Sequence, residues 1–138
     1  MEARLAITVD PKSDLPPSEQ LAQQIRFAVA AGDLKVGDRL PSVRALAVEA
    51  LVNPNTVGKA WRDLEREGVL DSRPGDGVFV SAGALNLCVT ARDSVLRERV
   101  ERLVGDALSA GLSRGDIEDW VDAALGRKRA WKRVGGLR

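Results

Sequence analysis

The chain has 138 residues, enough for one compact domain and a small appendage, and its 44% hydrophobic and 30% charged content is that of a globular protein. Its net charge is +1, with no histidine and a single cysteine, which excludes a His/Cys metal centre within one chain and removes the commonest general base. No catalytic residues, no metal and no cofactor are therefore expected. No apolar run reaches membrane-spanning length, Met1–Leu5 lacks the core of a signal peptide, and lone Cys88 reads as a buried, inert thiol, so the expected location is cytoplasmic.

In chain order, Leu5, Ile7 and Val9 alternate with Ala6 and Thr8, a pattern that predicts a short strand. A Pro/Asp/Ser-rich connector follows. A first helix starts at Ser18, places Leu21, Ile25 and Ala28/Val29 on its apolar stripe, and stops at Gly32. Lys35-Val36-Gly37-Asp38 reads as a turn. Ser42 caps a second helix, with Val43, Leu46, Ala47 and Ala50 inward and Arg44 outward. Asn53-Pro54 is the strongest helix start in the chain, an Asn cap followed by Pro at the first helical position.

The third helix, residues 54–67, carries the most information. Val57, Ala60, Trp61 and Leu64 form one apolar stripe. Asn55, Lys59, Arg62 and Arg66 form the opposite one, an amide and three cations that read as free of any acid and suit base edges and phosphates. Few residues separate the second and third helices, as in a helix-turn-helix. Val69-Leu70-Asp71 and Val78-Phe79-Val80 then predict a hairpin around the loop 72–77, which makes the motif a winged helix. The expected fold is mainly α with a small β wing.

Gly83 marks a boundary between a winged domain of residues 1–82, with an N-terminal extension over 1–15, and a C-terminal segment of 83–138. Residues 92–110 read as a long helix. A second one opens at the capping box Ser113-x-x-Asp116 and carries Ile117, Trp120, Val121, Ala124 and Leu125 on one face. Leu96, Val100, Leu103, Ile117, Trp120 and Val121 leave more apolar surface than two helices can bury against each other. They need a partner, either the winged domain or a second copy of the chain. The basic stretch 127–133 is open to three readings: a disordered end, a phosphate-binding arm or a contact for an acidic partner.

The ordered positions Pro17-x-x-Gln20-Leu21, Leu40-Pro41-Ser42-x-Arg44-x-Leu46-Ala47, Val52-Asn53-Pro54-Asn55-Thr56-Val57, Leu64-Glu65-x-Glu67-Gly68 and Gly75-x-Gly77-x-Phe79-Val80 resemble the GntR family of bacterial transcription regulators. The resemblance spans roughly residues 15–81, and the two-helix tail is similar to that of the YtrA subfamily, whose C-terminal part dimerises. It implies a homodimeric repressor on palindromic double-stranded DNA, with the helix 54–67 in the major groove and the wing 72–78 near the minor groove. Onto this chain it carries Ser42, Arg44, Asn53, Asn55 and Thr56 as contacts and Gly75 and Gly77 at the wing tip, and it makes Leu96, Val100, Leu103, Ile117, Trp120 and Val121 the expected dimer face. Lys59, Arg62 and Arg73 suit phosphate neutralisation. An unidentified small-molecule effector is compatible with the class, but no ligand motif marks one. Two positions depart from the family. Gly58 stands where many relatives have Arg, and Leu51 stands where the turn usually has Gly.

The charge is not that of a bulk polycation. Residues 1–85 hold 10 Lys and Arg against 12 Asp and Glu, and residues 86–138 hold 11 against 8. DNA binding by the first part must come from local placement. The competing reading is a winged helix that docks protein. An enzyme ranks third, since no nucleophile–base pair is present.

Overall fold

The computed structural model describes residues 5–126. The basic stretch 127–133 lies outside them. The order is α1 (Pro17–Ala31), α2 (Val43–Ala50), α3 (Pro54–Glu67), β1 (Leu70–Arg73), β2 (Gly77–Val80), α4 (Ala84–Ser109) and α5 (Arg114–Gly126). Helices α1, α2 and α3 enclose one core with the first turns of α4, and β1 and β2 form an antiparallel wing behind α3.

The N-terminal alternation buries Leu5 and Ile7, but the segment is not a strand. Side-chain amides of α1 take the place of a β partner. Thr8 exchanges hydrogen bonds with the amide of Gln24, donating at 3.3 Å and accepting at 2.7 Å. Asp10 does the same with Gln20, at 2.8 and 3.0 Å. The two glutamines stand one helical turn apart, so they meet alternate residues of the extended segment.

Helix α1 begins at Pro17, one residue before the expected Ser18, because proline suits the first helical position. Arg26 fixes α1 to α3. Its Nε and Nη2 meet the two carboxylate oxygens of Glu67 at 2.9 and 2.7 Å, and its Nη1 meets Glu19 at 2.8 Å. Both acids hold its charge still more firmly than usual against the opposing effect of burial. Cys88 lies in the same core, where burial pushes its thiol up to about 11 and keeps it protonated at neutral pH.

Helix α2 ends on Leu51 in the left-handed conformation, φ 57° and ψ 46°. The residue is 90% exposed and does not fill the space beside Ala50. The family's glycine geometry is kept without the glycine, at about 1–2 kcal/mol of strain. Leu51→Gly should therefore stabilise the protein by about 0.5–1 kcal/mol, after the extra flexibility of unfolded glycine is subtracted. Urea denaturation checks this, and a less stable variant would show that Leu51 makes contacts the fold depends on.

The wing is longer than the hairpin signals indicate. Pairing continues to Ser72↔Val78 and Arg73↔Gly77, so only residues 74–76 turn, closed by the Asp76 N–H donating to the Arg73 carbonyl at 2.9 Å. Residues 38–40, which begin at the last residue of the turn read at 35–38, pair with the free edge of β2. Leu40 N–H donates to Val78 O at 2.8 Å, and Val80 N–H donates to Asp38 O at 2.9 Å.

Helix α4 starts at Ala84, eight residues before the expected Arg92. Ala84 and Cys88 are small enough to pack directly against the winged core. The capping box of α5 forms reciprocally. Asp116 N–H donates to Ser113 Oγ at 3.1 Å, and Ser113 N–H donates to Asp116 Oδ2 at 3.0 Å. Hydrogen bonding from Ser113, its backbone N–H first and its hydroxyl second, holds the Asp116 carboxyl below the usual carboxylate range. No helix among the described residues is long and apolar enough to cross a membrane.

Candidate nucleic-acid interface

Helix α3 is built as its two stripes predict. Val57, Ala60, Trp61 and Leu64 are buried, and Asn55, Lys59, Arg62 and Arg66 are exposed. Asn53 Oδ1 accepts from Asn55 N–H at 2.8 Å, so the cap uses its carbonyl oxygen and leaves its amide NH2 for other partners. Thr56 is half-buried in the first turn, where its backbone N–H donates to Asn53 O at 2.9 Å. At the start of α2, Ser42 Oγ accepts from Ala45 N–H at 3.1 Å, which leaves the hydroxyl proton free to donate outward. Arg44 is exposed in the first turn of α2.

The cationic stripe is not free of acid. Asp63 stands beside it and takes two of its three cations, Lys59 Nζ at 2.8 Å and Arg66 Nη2 at 3.2 Å. The hydrogen bond from Lys59 is the main reason its carboxyl lies below the usual range. A residue four positions from Lys59 and three from Arg66 lies within reach of both, and that spacing was the available signal. Arg44 and Arg62 have no acidic partner among the described residues.

Gly58 does not leave an empty notch. A β-carbon there would stand 3.2 Å from Arg62 Nη1, so the guanidinium lies back across the glycine.

The wing carries a second arginine besides Arg73. The Arg73 guanidinium sits 4.2 Å from the centre of the Phe79 ring, a cation–π contact. Arg39, which the sequence reading did not single out, lies on the wing tip. A β-carbon on Gly77 would come within 2.8 Å of its Nε, and Gly77 has φ 125°, so the backbone favours glycine there while the flexible Arg39 side chain fills the space beside it. Gly75 has φ 82° at the turn itself. Only the pairing of residues 38–40 with β2 brings Arg39 here.

Away from this surface, helices α4 and α5 present apolar side chains to solvent. Leu103 is 69% and Trp120 is 62% exposed, Leu96, Val100 and Val121 are also exposed, and Ile117 is half-buried between the two helices. Among the described residues there is no cluster of His, Cys, Asp or Glu able to hold a metal ion.

A helix-turn-helix with its second helix bare on the outer face, backed by a hairpin, defines a winged-helix DNA-binding protein. Residues 17–80 match the model of the family described as bacterial regulatory proteins, gntR family. The chain is 38% identical over 115 residues to the HTH-type transcriptional repressor YtrA of Bacillus subtilis (strain 168), covering 83% of this chain and 88% of that protein. YtrA from Sulfolobus acidocaldarius, described as a GntR-family transcription factor, superposes with a TM-score of 0.55 at 33% identity, over 72% of this chain and 98% of that one. The DNA-binding domain of AraR in complex with operator ORX1 superposes with a TM-score of 0.50 at 28% identity, over 54% of this chain and 94% of that one. The chain belongs to the GntR family; it is a transcription regulator and not an enzyme.

Proposed function

We propose that the protein is a homodimeric repressor that binds a palindromic operator in the cytoplasm. Residues 1–82 bind DNA and residues 83–138 dimerise. Helix α3 enters the major groove, where its first turns reach base edges, and the wing approaches the minor groove. Asn55 is suited to adenine, which accepts and donates to an amide bidentately. Ser42, Arg44, Asn53, Thr56 and Lys59 surround it, and Arg73, Gly75 and Gly77 serve at the wing. The exposed Leu96, Val100, Leu103, Trp120 and Val121, with Ile117 at the edge, form the dimer face. YtrA of B. subtilis is described as a repressor, and the AraR domain was captured on an operator; both support the reading.

The observation that carries it is the two-sidedness of α3, whose inner stripe is wholly buried while its outer stripe is bare. Arg44 supplies the test. It is exposed and makes no ion pair among the described residues, so Arg44→Ala should weaken duplex binding at least severalfold while the melting temperature stays nearly unchanged. Affinity measured by fluorescence anisotropy and melting by circular dichroism decide it, and unaltered affinity would overturn the placement of α2. Failure of the parent protein to bind any duplex even at low salt would favour a winged helix that docks protein instead.

A further inference from the structure

We infer that Arg62 reads a guanine in each half-site by reaching back over Gly58; this rests on the DNA-binding reading above. Side chains on a helix lean toward its N-terminus and over the residue four positions earlier. From Arg62 that residue is Gly58, and the guanidinium lies over it, with Nη1 3.2 Å from where a β-carbon would be, so a side chain at 58 would push it aside by a few tenths of an ångström. The backbone does not ask for the glycine, because Gly58 lies inside α3 and is not among the positive-φ residues. Glycine weakens a helix interior, and what it offers here is the space over which the guanidinium lies.

The consequence is positional. Gly58 is in the early part of α3, where a recognition helix meets base edges, whereas position 62 lies further along. Folding back moves the charge from the far position to the near one. Lys59 and Arg66 are held by Asp63, but Arg62 has no acidic partner among the described residues and keeps its planar fork for a ligand. Such a fork matches the O6 and N7 acceptors of guanine.

The test is selection from a random-core duplex library by the parent protein and by Arg62→Ala, Arg62→Lys and Gly58→Ala, followed by titration of the enriched duplex at two salt concentrations. The parent should enrich a motif containing guanine. Arg62→Ala should erase preference at one base pair per half-site, a loss of about 5- to 150-fold in discrimination there. Arg62→Lys keeps the charge and should retain affinity for random duplex while losing the preference. Gly58→Ala should melt at an equal or higher temperature and still loosen the same position. The inference is overturned if Arg62→Ala weakens all duplexes equally and lowers the salt slope by about one while the preference persists, the signature of a phosphate contact. It is also overturned if Gly58→Ala keeps the full preference. No enrichment by the parent protein would overturn the DNA-binding reading itself.

Discussion

Leu103→Glu should yield a folded monomer whose affinity for a two-half-site duplex is lower by two orders of magnitude or more. Leu103 is 69% exposed on α4, beyond the turns that pack on the winged core, so the isolated chain loses little when it changes. In a dimer the same carboxylate would be buried without a partner, at a cost of several kcal/mol. Losing the dimer also removes the advantage of tethering one reading head to the other, which is worth roughly 10²–10⁴ in affinity. Light scattering after size exclusion reports the mass, and anisotropy reports the binding. A dimeric Leu103→Glu with unchanged affinity would show that α4 is not the dimer face.

The second large effect is on stability. Trp61 is 3% exposed and joins α3 to the core, so Trp61→Ala should cost about 3–5 kcal/mol through lost transfer energy and the cavity left behind. Trp61→Phe should cost far less. It retains most of the volume and deletes an indole N–H that is buried with no hydrogen-bond partner among the described residues. Urea unfolding of the two variants gives the comparison. A Trp61→Ala variant within about 1 kcal/mol of the parent would mean that α3 is held mainly elsewhere, with the Arg26–Glu67 pair the first place to look.

The parts of the fold legible in the sequence are those governed by neighbours in the chain. The Ser42 and Asn53 caps, the Ser113/Asp116 box and the buried stripe of α3 depend on spacings of two to four residues, and each forms as read. Features set by distant residues were not legible. The alternation at Leu5 and Ile7 reveals burial but cannot say that Gln20 and Gln24 will supply the pairing partners. The early start of α4 depends on Ala84 and Cys88 fitting a core assembled from other helices. The same holds in the candidate site. Asn55, Arg62 and Arg44 are exposed as their positions predict, whereas Arg39 reaches the wing only through β2. Asp63 is an intermediate case. Its spacing was visible, but a wheel drawn around the cations places it at the margin, and only the reach of the side chains brings it onto the stripe.

Helix α4 is a single unbroken helix of 26 residues, about 39 Å long, and it begins inside the core that holds the reading head. It therefore behaves as a shaft and not as a tether. In the proposed dimer, the angle between the two heads would be fixed by the pitch of that shaft. Each residue added or removed along it would turn one head by about 100° about the shaft axis, while a whole turn would nearly restore the phase. Change in such an arm is quantised. Drift in sequence at constant length leaves the spacing of half-sites intact, but a one-residue change in length would retire the old operator at once.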